Sequence, residues 1–159
     1  MDIQDRLDLR GYAVMECYGA DGALKWREEQ HNLVVNVGRT DILEKYFRGS
    51  AYTAAWYVGL KGAGTIAAGD TLASHAGWSE VTPYSGNRPS WSPTAAASNS
   101  ITNASAVTYA ITGTSTVAGI FLASANTGTS GTLFSAVDFS GSRSVVSGDT
   151  INVTYTVNS

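Results

Sequence analysis

The sequence predicts a mainly β fold, a single-domain antiparallel β-sandwich of jelly-roll type with an N-terminal β-hairpin and one short helix. Three observations predict it. From residue 54 onward the chain breaks into short apolar runs separated by Gly, Asn, Pro or Ser, which is the spacing of sandwich strands. The last run alternates, with Ile151, Val153, Tyr155 and Val157 on one side and Asn152, Thr154 and Thr156 on the other. Strong helical spacing of apolar residues is confined to residues 39 to 48. A chain of 159 residues suits one domain. The expected organisation is an N-terminal arm (1–10) followed by a sandwich domain (11–159), with a hairpin over 11–35, the helix at about 39–48 and a β body over 54–158.

In the arm, Asp5, Arg6, Leu7, Asp8, Leu9 and Arg10 mix charges with leucines, as suits a chain end that becomes ordered against a partner. GYAVMECY (11–18) and ALKWREEQHNLVV (23–35) flank Asp21-Gly22. Gly there supplies the positive φ of a tight hairpin turn. On the second arm Leu24, Trp26 and Glu28 share one face, which offers Leu and Trp for burial. Asn36-Val37-Gly38 is expected to break the strand. The helix then starts with Asp41 and Glu44 in a capping-box-like pair and ends at Gly49. Ile42, Leu43, Tyr46 and Phe47 fall on one face, so the helix is expected to pack by that face across a sheet.

The β body is expected to hold strands at 54–60, 78–84, 88–97, 104–112, 115–124, 132–140, 143–146 and 149–157. Val117 to Leu122 is almost continuously apolar, the pattern of a central strand covered on both faces. Gly69-Asp70-Thr71-Leu72 and Gly148-Asp149-Thr150-Ile151 echo each other. They read as equivalent turns leading into an apolar residue. Trp56 to Trp91 gathers three of the four tryptophans and two of the three prolines, Pro83 and Pro89, with Pro93 just beyond it. Its rings Trp56, Tyr57, Trp78, Tyr84 and Trp91 are expected mainly to close the core, since each buries a large area. A protein contact or a sugar-stacking platform are the other uses of such rings.

Composition narrows the function classes. Net charge is −3 and charged residues make up 14% of the chain, so there is no basic footprint for phosphates and no direct nucleic-acid partner is expected. Residues 1–50 hold seven of the ten Lys/Arg and nine of the thirteen Asp/Glu. The remainder is a Ser/Thr/Gly/Ala-rich body, which fits a surface partly hidden in an assembly. No stretch approaches the roughly 20 apolar residues of a membrane span, and the N-terminus lacks a secretory pattern. Lone Cys17 reads as a buried strand residue.

A search for chemistry finds no catalytic, cofactor or metal site to assign. Ser74-His75 adjacency carries no weight, because neighbours on a strand face opposite ways. His31 and His75 read as strand-edge and loop residues. Asp70, Glu80, Asp138 and Asp149 are the acids of the β body, too few to support a glycosidase pair. Asp70 and Asp149 are expected to bond nearby backbone in their turns. No Ca²⁺ loop, P-loop or nucleophile elbow is present.

The order of motifs resembles something known. The Asp21-Gly22 hairpin, Asn32 to Gly38, a helix from Arg39, Trp56 to Leu60, Asp70 to Glu80, then Tyr84, Arg88-Pro89 and Gly148-Asp149-Thr150, are similar to small virion proteins of tailed bacteriophages. The resemblance implies a non-enzymatic virion structural protein assembled in the host cytoplasm. Within that group the expected role is a capsid cement or decoration protein that binds the major capsid protein lattice and forms a homo-oligomer. A tail, baseplate or adaptor component is the alternative, and a carbohydrate-binding module the third reading. The resemblance assigns no functional residue.

Overall fold

Small and medium apolar side chains at alternate positions drive the first strand inward. In β1 (Arg10–Tyr18) Gly11, Ala13, Met15 and Cys17 are buried, with Arg10 exposed and Tyr12, Val14, Glu16 and Tyr18 half-buried between them. The computed structural model describes residues 8–52 and 54–159; residues 1–7, most of the expected arm, lie outside the described residues. β2 (Leu24–His31) returns antiparallel to β1. At their turn Gly22 has φ +78° and the Ala23 amide donates to Asp21 Oδ1 at 3.0 Å. The turn chemistry therefore acts as the sequence predicts.

β3 (Leu33–Val34) and helix α1 (Asn36–Arg48) follow. The helix starts three residues before the position expected from sequence. Its N-cap is Val35, whose side chain caps nothing, so the Asp41/Glu44 pair does not start it. Tertiary contacts set the start instead: the Val35 amide donates to Phe134 O at 3.1 Å and the Asn36 amide to Ala68 O at 2.8 Å. Gly49 ends the helix in the left-handed conformation, as expected.

The body continues as β4 (Trp56–Gly64), β5 (Trp78–Val81), β6 (Ser90–Trp91), β7 (Ser100–Thr102), β8 (Val107–Ala110), β9 (Ser115–Ala123), β10 (Leu133–Val145) and β11 (Thr150–Asn158). Two antiparallel sheets result. One runs β2-β1-β11-β7, with β8 pairing the first half of β11, and the other runs β3-β10-β9-β4-β5, with β6 pairing the start of β4. The two runs expected at 132–140 and 143–146 are one strand, β10, with a register shift between Asp138 and Arg143. The fold is a β-sandwich with an N-terminal hairpin and, among the described residues, one helix.

The main core lies between the sheets, where Met15, Leu60, Ile120, Leu122, Val137, Ile151, Val153 and Tyr155 meet. A second cluster of Val35, Leu72, Trp78, Phe121, Ala123, Leu133 and Ala136 covers the other face of the second sheet. β9 is therefore buried on both sides, which accounts for its unbroken apolar run. Phe121 lies against Gly59 on the neighbouring strand, where a Cβ would come within 2.1 Å of the ring.

Charged groups bridge the layers. Glu28 on β2 is 4% exposed and accepts hydrogen bonds from Arg143 Nε (2.8 Å), Ser140 Oγ (3.0 Å) and Gln30 Nε2 (3.1 Å). Burial pushes its carboxyl up, but these donors outweigh burial and hold it at about 2, against an ordinary 4.5. A depressed carboxylate stabilises the fold above its unfolded-state pKa and loses that contribution as pH falls through the folded value. The melting temperature is thus expected to fall with acidification from about 4.5 towards about 2. In a pH series followed by circular dichroism, E28Q should melt lower at neutral pH and show a shallower acid slope.

Candidate functional site

The acids singled out from sequence do not converge. Asp70 Oδ2 accepts the Ala67 amide at 2.9 Å and the Trp78 indole N–H at 2.9 Å. Asp149 Oδ2 accepts the Val146 amide at 2.9 Å and Lys25 Nζ at 2.5 Å. The two Gly-Asp echoes therefore share one carboxylate-to-amide tie, although Gly148 is left-handed (φ +94°) and Gly69 is not, and each delivers a buried residue, Leu72 and Ile151. Glu80 accepts from Nε and Nη2 of the buried Arg88 guanidinium, both at 2.7 Å, and Arg88 also donates to Ala125 O and Gly128 O at 2.8 Å. That fork pins the loop after β9.

Asp138 faces Lys61, a partner the sequence did not suggest. Lys61 is fully buried, with Nζ 2.6 Å from Asp138 Oδ1. The approach lies off a hydrogen-bonding direction, since Oδ1 accepts no hydrogen bond, so the contact is one of charge. Nζ also donates to Gly62 O at 3.1 Å and to Gly64 O. Lys61 and Asp138 both register with Gly119 of β9. The lysine stem crosses that strand, and Gly119 leaves the space for it.

Neither histidine meets a nucleophile. His31 is exposed at the end of β2. His75 stacks on Trp78 at 4.1 Å, and its Nδ1 lies 3.0 Å from Thr71 O. Trp78 contacts Phe121 at 5.2 Å, and the Arg88 guanidinium sits 5.1 Å from the other ring of that pair, Phe121. Cys17 is buried, and burial, with Asp149 nearby, pushes its thiol up to about 11. Among the described residues no three His, Cys, Asp or Glu side chains are grouped to hold a metal ion.

The aromatic stretch closes the core. Trp78, Tyr84 and Trp91 are buried. Trp91 Nε1 donates to Tyr155 O at 3.1 Å, and Tyr109 Oη to Val58 O at 2.7 Å. Tyr155, pushed up to about 12 by burial, contacts Ser135 Oγ and accepts from Asn32 Nδ2 at 2.6 Å. Trp56 and Tyr57 are half-buried at the edge. No flat sugar platform is built from this set.

The exposed apolar surface lies instead on α1, against expectation. Ile42 packs on the core, but Leu43, Tyr46 and Phe47 are 56%, 81% and 74% exposed. The helix docks through its first turns: a Cβ at Gly38 would lie 2.4 Å from Phe134 O. Close backbone approach at Gly38 lifts the later turns away from the sheet. Between α1 and the sheets opens an apolar groove of about 500 Å³, walled by Ile42, Tyr46, Tyr52, Trp56, Ile101 and Val157. Its polar groups are few: Asp41, at 3.5 Å from Thr132 Oγ1, and Lys45, whose Nζ donates to Ala51 O at 2.8 Å. The signal for it in the sequence is Tyr46 followed by Tyr52, rings flanking the helix end.

With this geometry in view, residues 34–157 match the family described as Podophage GP4 fiber I protein gp80. The chain belongs to that family. As a gp80 family member it is a structural protein of the phage virion. The gp80 match runs from β3 to β11 and so takes in α1, the groove, the second core cluster and the part of the main core that follows β2, while β1 and β2, with Ala13, Met15 and Cys17 of the main core, precede it. No curated protein matches the chain.

Proposed function

We propose that the chain is a non-enzymatic structural component of a phage tail fibre or of its attachment to the particle, assembling with other virion proteins and with copies of itself. The observation that carries this is the gp80 fiber family match across residues 34–157. The role of capsid cement bound to the major capsid protein, implied by resemblance to small virion proteins in general, has no comparable support. The sandwich suits a load-bearing part, because polar side chains are committed to internal ties such as Glu28–Arg143, Lys61–Asp138 and Glu80–Arg88.

Immunogold electron microscopy of purified particles, with copy number by quantitative mass spectrometry, tests it. Label at the tail and a copy number of about three to twelve, as tail symmetry dictates, are expected. Label spread over the head shell at hundreds of copies, a figure on the order set by capsid symmetry, would return the cement reading.

A further inference from the structure

Lys61 and Asp138 stand on strands that do not pair with each other. β9 lies between β4 and β10, and Gly119 of β9 is the register partner of both residues. The Lys61 side chain spans that gap beneath Trp78, whose ring centroid is 5.8 Å from Nζ, and it is sealed from water. Nζ comes to 2.6 Å from Asp138 Oδ1, and the carboxyl carbon is one bond further on.

Three backbone groups orient the pair. Gly62 O and Gly64 O each accept a hydrogen bond from Nζ, and the Ile66 amide donates to Asp138 Oδ2 at 3.3 Å. A neutral amine has two N–H groups, and the two carbonyls take them. The remaining tetrahedral position, towards Asp138, is then the lone pair. Oδ1 is buried and accepts no hydrogen bond, so it is open to a proton. Lys25 and Asp149 show the contrasting arrangement: Nζ donates to Oδ2, and the lysine is 35% exposed, solvated and held as an ammonium ion.

We propose that Lys61 and Asp138 condense within the folded chain to an isopeptide bond, a covalent tie from β4 to β10 over β9. The ion pair is the reactant. Burial penalises separated charges, which favours passing one proton from Nζ to Oδ1. The Nζ lone pair then attacks the carboxyl carbon, and the negative charge that develops on Oδ2 faces the Ile66 N–H, a fixed donor of the oxyanion-hole kind. A second proton passes from Nζ to Oδ1. The carbon–Oδ1 bond breaks, Oδ1 leaves as water, and the carbon–Oδ2 double bond reforms. Nζ keeps one hydrogen, now an amide N–H for the Gly62 or Gly64 carbonyl. Nothing is oxidised or reduced and no co-reactant is consumed. Held contact gives such an intramolecular step an effective molarity on the order of 10⁵ M or more. Asp138 is 34% exposed, which gives the released water a way out. The bond does not depend on where in the particle the protein sits.

Intact-mass spectrometry of the full chain, denatured after incubation in the folded state until its mass is constant, tests this. The bulk of the chains should be lighter than the sequence mass by one water, and a protease digest should yield one branched peptide joining the segments around Lys61 and Asp138. Lys61→Met and Asp138→Ala should keep their full sequence masses, as should wild-type chain held unfolded in urea throughout. Should Asp138→Ala fail to fold, Lys61→Met carries the control. Wild-type chain at its full sequence mass overturns the proposal. So does a water loss that persists in Lys61→Met, or one that maps to a succinimide at Asp21-Gly22 with no branched peptide.

Discussion

Asp138→Ala is expected to lower stability by about 3–5 kcal/mol, because it leaves a buried ammonium without its counter-charge. Lys61 has no route to water from its place across β9, whereas Asp138 is 34% exposed. The two halves of the pair are therefore unequal. Lys61→Met should cost at least ~2 kcal/mol less than Asp138→Ala, since the carboxylate left behind can be hydrated and the methionine stem fills the lysine's path. K61M/D138A should resemble K61M alone, as non-additivity within one contact requires. Urea unfolding of the three variants measures all of this. Asp138→Ala also frees the Ile66 amide, which donates to Asp138 Oδ2 at 3.3 Å. Protection from hydrogen exchange should accordingly fall first in the loop that begins there.

Gly119→Ala is expected to cost about 3 kcal/mol or more. Its Cβ would lie 2.1 Å from Val137 O, a backbone atom of the paired strand, and 3.2 Å from the Lys61 stem. Neither neighbour can yield cheaply: the first is fixed in the sheet, and the second is held by its charge contact. Gly113→Ala is the control. Nothing lies within 4 Å of a Cβ there and the backbone is not left-handed, so stability should change by no more than about 1 kcal/mol. A comparison of urea midpoints separates the two.

Much of the fold was legible because local chemistry and global packing agree. The Asp21-Gly22 turn, the two Gly-Asp turns, Gly49 and the apolar run of β9 each behave as their residue types require. Where the reading failed, a tertiary contact overrode a local one. Asp41 and Glu44 look like a helix start, yet backbone contacts to Phe134 begin α1 earlier. Leu43, Tyr46 and Phe47 have the spacing of a buried face, but approach through Gly38 turns that face outward. β7 has too few apolar residues to signal a strand; it exists because β11 offers Thr156 to Asn158 as partners. Lys61 gave no sign of burial, since lysine is normally exposed. Its site exists because Gly119 vacates a path across β9. Of the groove, the rings were visible in the sequence and their exposure was not.

The pairing of Arg10 with Asn158 has a mechanical consequence. Both ends of the described chain leave the sandwich side by side, on neighbouring antiparallel strands. Tension applied across these two points would act at right angles to the strands and peel the ladder one rung at a time, the weakest loading direction for a sheet. A particle that pulls on this module would therefore do better to grip one end and an outer surface than both ends.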